Sequence, residues 1–321
     1  MQKNDLRIIF MGTPDFAVAT LRALTEGGFN VVAVVTQPDK PVGRHGSVLQ
    51  APPVKQYAQQ AGIPVLQPEK MKDPVFLEQL RSFDANLQVV VAFRMLPEVV
   101  WAMPRYGTFN VHAALLPDYR GAAPIQWAVI NGEKRTGVTT FFLDQQIDTG
   151  RIIRQTPFDI PDDADAEYVY DGLMHLGARL CLETLDDIMQ ADGHPQSMPQ
   201  DDALSVHSAP KLNKENCRIV WSRTAVEVYN FVRGLSPAPG AWTMLQAPDG
   251  STSLLKIYQS TKTDLPATSQ PGSIVRHGKQ LYVSCADRLL QIDSLQLAGK
   301  RRMDAASLMN GMSGIEKYFA V

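Results

Sequence analysis

The stretch RIIFMGTPDFAVATLRALTEGGFNVVAVV, residues 7–35, decides the fold because it has the pattern of a strand, a helix and a second strand. Residues 7–11 are a short apolar run, and residues 15–26 carry apolar side chains at helical spacing until two glycines end the helix. Residues 31–36 are β-branched and apolar at their centre, which is typical of a strand buried on both faces. The unit predicts a parallel sheet covered by helices.

The same alternation continues to about residue 190. It predicts an α/β fold with a mostly parallel, doubly wound (Rossmann-like) sheet. The further helices are predicted at residues 53–60, 74–81, 122–130 and 164–189, and the further strands at residue 65 and at residues 87–93, 108–112, 137–143 and 151–159.

The pattern changes after a polar stretch without periodicity, which we interpret as a linker at residues 191–208. Short β-type runs at close spacing then predict a small barrel, compatible with an oligonucleotide-binding (OB-like) domain. We therefore expect a catalytic domain at 1–190 and an OB-like domain at 209–321. The second part has one predicted helix, 224–232, and predicted strands at residues 242–245, 254–258, 273–276, 280–285 and 289–295.

Composition excludes several classes of protein. The content of 45% hydrophobic and 20% charged residues is ordinary for a water-soluble protein, and no apolar stretch approaches the roughly 20 residues that span a bilayer. The three cysteines are widely spaced, which argues against a zinc site or a disulfide framework and fits a reducing compartment. We expect a cytoplasmic monomer with no metal and no membrane association.

Charge is distributed unevenly along the chain. Residues 209–321 contain 14 Lys and Arg against 8 Asp and Glu, a net charge of +6, whereas residues 1–208 contain 17 against 25, a net charge of −8. A basic domain suits a polyanionic partner, because phosphates neutralised by Lys and Arg release counterions. A solvated surface with a modest basic bias would give the same count, so both interpretations stay open on charge alone.

The turn after the first strand reads MGTP, not the Gly-x-Gly-x-x-Gly of dinucleotide sites, which disfavours a nicotinamide cofactor. The informative polar pair is Asn110 and His112, which leave the same face of a strand because they are two residues apart. The carboxyl ends of strands are where open α/β sheets bind ligands. An Asn amide can donate to an oxyanion and a His can move a proton, although the pair could also be structural.

A carboxylate follows the next β-rich run, at Asp148 in the sequence QIDTG. In a sheet of this kind Asp148 would lie about one strand away from His112. An Asp beside an imidazole holds its orientation and favours its charged form. The alternative is that Asp148 only stabilises the turn before Gly150.

Four segments together resemble the folate-dependent formyltransferases: NVH at 110–112, LLP at 115–117, RGAAP at 120–124 and DTG at 148–150. The resemblance implies that Asn110, His112 and Asp148 are the catalytic trio. Further segments are similar to the branch of that family whose acceptor is methionyl-tRNA: FMGTPDFAV at 10–18, TQPDKP at 36–41 with GR at 43–44, KLNKE at 211–215 with Ile219 and Trp221, and GKRRM at 299–303.

The resemblance implies transfer of a formyl group from 10-formyltetrahydrofolate, as co-substrate, to the amino group of methionyl initiator tRNA. The chain departs from the family's common pattern at Ala114, where a serine is usual, and at Phe93-Arg94, where Tyr-Gly is usual. We expect folate against an apolar cleft and tRNA against basic residues. The expected folate residues are Phe93, Met95, Leu96, Pro97, Ala114, Leu115, Leu116 and Pro117, and the expected tRNA residues are Arg44, Lys300, Arg301 and Arg302.

Other functions stay open at this point. A formyltransferase acting on a sugar-nucleotide amine would share the trio but would not need a basic second domain. One acting on glycinamide ribonucleotide would lack that domain, and a formyltetrahydrofolate hydrolase would use water as the acceptor. A non-catalytic RNA-binding protein would keep the basic barrel but has no reason to place the trio. A formyl-transfer assay with the competing acceptors separates these possibilities.

Overall fold

The computed structural model describes residues 1–42 and 48–321. The chain forms two compact units. The first consists of Met1–Gly121, Arg135–Asp159 and Tyr170–Ser208, and the second of Ala122–Lys134, Ile160–Val169 and Ala209–Val321. Among the described residues, none of the helices has both the length and the apolar character needed to cross a membrane.

The elements are numbered along the chain. The helices are α1 (Asp15–Glu26), α2 (Pro53–Gln60), α3 (Pro74–Ser82), α4 (Glu98–Trp101), α5 (Pro124–Ile130), α6 (Ala166–Gln190), α7 (Ala225–Gly234) and α8 (Ala305–Gly311). The strands are β1 (Arg7–Gly12), β2 (Asn30–Val35), β3 (Lys40–Val42), β4 (Val48–Gln50), β5 (Val65–Leu66), β6 (Leu87–Val91), β7 (Thr108–His112), β8 (Arg120–Gly121), β9 (Arg135–Phe142), β10 (Ile152–Asp159), β11 (Ser208–Ala209), β12 (Ala241–Gln246), β13 (Thr252–Pro266), β14 (Ile274–His277), β15 (Gln280–Ser284), β16 (Arg288–Leu297), β17 (Met303–Asp304) and β18 (Phe319–Ala320).

The sheet of the first unit has the order β10-β9-β7-β6-β1-β2-β5. The strands from β7 to β5 are mutually parallel, and β9 and β10 pair antiparallel at one side. One face buries Ile9, Met11 and Val35 against Phe76 and Leu80 of α3. The predicted mostly parallel sheet with its helices is confirmed.

The opposite face of the sheet is covered by α6. An added Cβ on Gly177 would lie 3.2 Å from a Val111 methyl group, so the glycine leaves room for the helix to lie close to β7. One predicted strand is too long: β6 ends at Val91, not at residue 93, because Ala92 adopts a left-handed conformation with φ 47°. The chain therefore leaves the sheet two residues earlier than expected.

The second unit contains an antiparallel sheet with the order β14-β15-β16-β13-β12-β18. Its two ends approach each other, since Ser273 forms a bridge with Phe319. The sheet is therefore strongly curled, as the prediction of a small barrel requires. Its core includes Leu255, Ile257 and Leu295, and α7 packs on it.

The polar segment 191–208 belongs to the first unit. It lacks helical or strand periodicity, but it is held by the chain beside it: Met198 bridges Ile152 through two backbone hydrogen bonds of 2.8 Å. A short 3-10 helix follows at Asp202–Leu204. The segment is thus an ordered part of the unit that carries the predicted catalytic residues.

Candidate active site

Strand β7 places Asn110 and His112 on one face at the carboxyl end of the sheet. In the ladder, Asn110 lies between Val90 of β6 and Phe141 of β9, and His112 lies opposite Thr139. Asn110 is half-buried, whereas His112 is 6% exposed. The spacing of two residues on a strand therefore directs both side chains to the same side, as predicted.

The imidazole of His112 is oriented by a backbone carbonyl. Its Nε2 lies 3.0 Å from the carbonyl oxygen of Tyr119, which can only accept, so Nε2 carries the proton of that hydrogen bond. The other ring nitrogen, Nδ1, lies 3.8 Å from Oδ2 of Asp148. That distance is too long for a direct hydrogen bond. Nδ1 is therefore the ring atom left for chemistry.

Asp148 lies in the turn after β9 and has a left-handed backbone, with φ 56°. Its Oδ2 accepts a hydrogen bond of 2.9 Å from the Gly121 amide, and its side chain is 13% exposed. A single atom between Oδ2 and Nδ1 of His112 can lie within hydrogen-bonding distance of both, since the two are 3.8 Å apart. The pair can thus hold a proton-bearing group between an acid–base nitrogen and a carboxylate.

The turn itself is stabilised by a different acid. Asp144 accepts from the Gln146 amide at 3.1 Å and from the Thr149 hydroxyl at 2.7 Å. That is the local bonding by which an aspartate caps a turn. The carboxylate of Asp148 is directed instead at Gly121 and His112. The turn-stabilising role that the sequence left open for Asp148 is therefore filled by Asp144.

The residues expected to contact folate after β6 differ in exposure. Leu96 is only 7% exposed and packs in the core with Val90 and Val100, and Phe93 packs against the same core. Met95 is 75% exposed. Pro97 is half-buried where α4 begins. Of these residues, Met95, Phe93 and Pro97 have surface to offer to a ligand.

The second set of expected folate residues is mostly enclosed. Ala114, Leu116 and Pro117 are buried, and Leu115 is half-buried. Thr139 fixes this loop: its hydroxyl donates to the Ala114 carbonyl at 2.7 Å and accepts from the Leu116 amide at 3.1 Å. The Gln155 amide adds a bond of 2.7 Å to the Leu116 carbonyl. The loop is a rigid wall built on β9 and β10.

Arg94 makes a link that sequence reasoning missed. Its guanidinium donates to the Glu69 carbonyl at 2.9 Å and to the Pro68 carbonyl. These residues follow β5, which is separated from β6 by β1 and β2, so the bonds join the segments that follow two non-adjacent strands. Burial lowers the pKa of Arg94, and its Nε is buried without a partner among the described residues. Arg94 therefore ties the loop of Phe93 and Met95 to the sheet edge.

The expected tRNA residues lie partly outside the described part of the chain, since Arg44 is not among the described residues. Lys300, Arg301 and Arg302 form an exposed turn between β16 and β17. The Arg302 guanidinium lies 4.5 Å from the centre of the Tyr258 ring, and its Nε donates to Ser294 at 2.8 Å. This turn is a basic surface with an aromatic ring under one of its cations.

A second aromatic ring with basic neighbours lies on the same unit, and sequence reasoning missed it. Trp242 has Lys214 at 5.6 Å and Arg218 at 5.7 Å from its ring. It pairs with Lys256 across the β12–β13 ladder, and Lys256 pairs with Gln296 of β16. Gln296 in turn donates to the Lys300 carbonyl at 2.8 Å. We call these residues, with the turn 300–302 and Tyr258, the basic strip.

A mostly parallel sheet followed by a curled antiparallel sheet is the architecture of the class of formyl-transferring enzymes. The family model described as "Formyl transferase" matches residues 6–185, and "Formyl transferase, C-terminal domain" matches residues 211–313. The methionyl-tRNA formyltransferase of Parabacteroides distasonis is 57% identical over 323 residues, 99% of each chain. The chain belongs to the methionyl-tRNA formyltransferase family.

Solved structures share the fold at lower identity. The N-formyltransferase from Helicobacter canadensis, in complex with folinic acid and dTDP-3-aminofucose, is 20% identical with a TM-score of 0.65, over 93% of this chain and 100% of that one. HypX from Aquifex aeolicus, in complex with tetrahydrofolic acid, is 18% identical with a TM-score of 0.63, over 96% of this chain and 48% of that one.

Proposed function

We propose that the chain transfers the formyl group of 10-formyltetrahydrofolate to the α-amino group of methionyl initiator tRNA, for translation initiation. The observation that carries the proposal is the pairing of Nδ1 of His112 with the Asp148 carboxylate, 3.8 Å apart, beside Asn110 on the same strand face. The identity of 57% to a methionyl-tRNA formyltransferase over 99% of both chains supports the same acceptor.

In the first step the neutral amine attacks the formyl carbon, and a new N–C bond forms. The carbonyl oxygen becomes an oxyanion, which needs donors that are already in place. The Asn110 amide and Nδ1–H of protonated His112 supply them, because Nε2 of the ring is engaged by Tyr119. Asp148 accepts the proton that the attacking amine loses, directly or through a water.

In the second step the tetrahedral intermediate collapses and the bond from the formyl carbon to N10 of the folate breaks. N10 receives the proton that the amine gave up, and tetrahydrofolate leaves. The overall change exchanges a formyl group for a proton between two nitrogens, so the site neither consumes nor releases a proton. Asp148 needs only to hold that proton between the two steps, because both ring nitrogens of His112 already carry one.

The folate is expected between the loop of Phe93 and Met95 and the wall around Leu115. Met95, Phe93 and Pro97 retain surface for the flat ring system. Leu96, Ala114, Leu116 and Pro117 are buried, so their part is to support that surface. The tetrahydrofolic acid in the HypX structure supports a folate site in this fold.

The acceptor tRNA is expected on the basic strip; Arg44, which is also expected to contact it, lies outside the described residues. Lys300, Arg301 and Arg302 are exposed and can reach phosphates. Trp242 and Tyr258 offer rings on which a base can stack next to the cations. Together they offer phosphate contacts and base stacking, two of the contacts that proteins use on RNA.

The test is a formyl-transfer assay with the purified full chain. It is incubated with 10-formyltetrahydrofolate and either methionyl initiator tRNA, uncharged tRNA or a dTDP-aminosugar, and the formylated product is quantified. We expect formyl-methionyl-tRNA only. Preferential formylation of the sugar, or release of formate at the same rate without any acceptor, would overturn the proposal. The variant His112→Ala serves as the inactive control.

A further inference from the structure

Gln200 lies in the polar segment 191–208 and reaches the turn that carries Asp148. Its Nε2 donates to the backbone carbonyl oxygens of Asp148 and Gly150, both at 2.8 Å. Both amide hydrogens of Gln200 therefore form hydrogen bonds, and both bonds are to the turn that carries Asp148. The side chain is half-buried, so these bonds are shielded in part from water.

The other end of the same amide is bound to Arg120. Oε1 of Gln200 accepts from Nε of Arg120 at 3.0 Å and from its Nη2 at 2.6 Å. A guanidinium only donates and carbonyl oxygens only accept, so the amide has one allowed orientation. Arg120 directly precedes Gly121, whose amide donates to Oδ2 of Asp148. Gln200 thus holds the backbone of Asp148. It also holds Arg120, the neighbour of the Gly121 amide that binds the Asp148 carboxylate.

The turn needs such a brace. Asp148 has φ 56°, a conformation that costs free energy for a residue other than glycine. The residues before it, Gln145, Gln146 and Ile147, are exposed and contribute little packing. Hydrogen bonds to the backbone therefore decide where the carboxylate lies relative to His112.

We propose that Gln200 is a positioning residue of the formyl-transfer reaction, acting by fixing Asp148 against His112. This inference rests on the proposed function and names a residue in a segment that the sequence predicts to be a linker. The set of hydrogen bonds made by Gln200 requires an amide side chain. A glutamate keeps the bond with Arg120 but cannot donate to the two carbonyls. A methionine loses both connections.

The experiment measures kcat, KM for both substrates and the melting temperature of Gln200→Glu and Gln200→Met. We expect kcat to fall about 10- to 100-fold, the range for lost positioning of a reacting group, while both KM values stay unchanged. The matched control is Gln196→Glu, since Gln196 is an exposed glutamine in the same segment. It should keep wild-type kcat.

A double-mutant cycle separates positioning from general stability. In the Asp148→Asn background, Gln200→Glu should lower kcat no further, because the group it positions is already disabled. Multiplicative losses, or wild-type kcat in both single variants, would overturn the inference. So would loss of folding in both, because that makes Gln200 a residue of the fold. A wild-type chain inactive on methionyl-tRNA would instead contradict the proposed function.

Discussion

At the scale of single residues, the site depends on how one imidazole is held. The carbonyl of Tyr119 engages Nε2 of His112, and this fixes both the ring plane and the position of the proton. The ring is further confined by Phe141, whose ring lies edge-on at 6.3 Å. The Asp148 carboxylate, 3.8 Å from Nδ1, can then bind a group that lies between the two side chains. Because the Tyr119 carbonyl orients the His112 ring, the Asp148 carboxylate is not needed for that purpose and can take part in the reaction.

The first prediction concerns the two expected oxyanion donors. Asn110→Ala and His112→Ala should each lower kcat about 10²- to 10³-fold, the usual loss of one oxyanion donor. Asn110→Ala should melt close to wild type, because Asn110 is half-buried. His112→Ala removes the buried hydrogen bond to the Tyr119 carbonyl and should cost about 1–3 kcal/mol of stability. Single-turnover rates measure the loss of catalysis, and thermal melting measures the change in stability. A rate loss below tenfold in both variants would contradict the assignment of Asn110 and His112 as oxyanion donors.

The sequence could indicate this site only in part. Asn110 and His112 were recognisable because two polar residues on one strand share a face, whatever the rest of the chain does. Gln200 was not, because its bonds to Asp148 and Gly150 join residues about fifty positions apart across a segment without periodicity. Contacts of that kind depend on how separate segments pack, and a local pattern does not contain them.

At the scale of elements, the end of β9 and the turn after it are fitted closely to each other. A Cβ on Gly150 would overlap the Phe142 carbonyl oxygen, a backbone atom that cannot rotate away. The turn therefore reaches its position only with glycine at residue 150. This constraint sits two residues after Asp148, on the same turn that Gln200 binds.

The second prediction follows from that fit. Gly150→Ala should displace the turn, destabilise the fold by about 1–3 kcal/mol as overpacking does, and lower kcat by moving the Asp148 carboxylate. Chemical denaturation and steady-state kinetics measure the two effects. The control is Gly311→Ala at the end of α8, where an added Cβ meets nothing within 4 Å. Wild-type stability and kcat in Gly150→Ala would show that the turn tolerates a shift.

A charged pair closes the base of the β3–β4 ribbon. Asp39, just before β3, accepts from Nζ of Lys55 in α2 at 2.9 and 2.7 Å, and from Nε2 of Gln67 at 2.7 Å. The hydrogen bonds from Gln67 and Lys55 lower the pKa of Asp39. The segment between β2 and β3 is therefore tied to α2, the helix that follows β4.

The third prediction is the pH dependence of this pair. A carboxyl whose pKa is lowered by folding adds stability above its unfolded value, about 3.9, and loses it as pH falls through the lower folded value. Asp39→Asn should therefore be less stable than wild type near pH 7, and the two should converge as pH falls below about 4. Urea unfolding at several pH values measures this. Asp264→Asn, whose side chain is fully exposed, is the control, and a difference independent of pH would contradict the prediction.

Most element positions followed from periodicity, and several of the exceptions share a physical cause. Helix α4 and strand β18 contain 4 and 2 residues, too few to show a period. Strand β18 exists because it pairs with Leu245 and Gln246 of β12, far away in sequence. Strand β13 runs to Pro266, well beyond the predicted end at residue 258, because its second half pairs with β16. That half is polar and has no apolar alternation, so the sequence pattern did not indicate it. Short or polar elements are formed by partners, not by their own pattern.

At the scale of the whole molecule, charge separates the two parts of the chain. Residues 209–321 carry +6 and residues 1–208 carry −8. Within the basic part, the cations of the basic strip stack on rings or bond to neutral groups. Lys300, Arg301 and Arg302 have no carboxylate within 4.0 Å in the described part of the chain. Their charge is therefore available to an anionic partner.

The fourth prediction is the salt dependence of tRNA binding. Each phosphate contact to single-stranded or duplex nucleic acid contributes about −0.7 to −0.9 to the slope of log affinity against log salt. Replacing Lys300, Arg301 and Arg302 together by alanine should weaken tRNA binding and make that slope shallower by about 2 to 3. The value of kcat at saturating tRNA should stay the same, because these residues are far in sequence from the trio and act only on binding. Arg288→Ala is the matched control, since Arg288 already pairs with Asp264 at 2.7 Å. An unchanged slope in the triple variant would show that tRNA phosphates bind elsewhere on the chain.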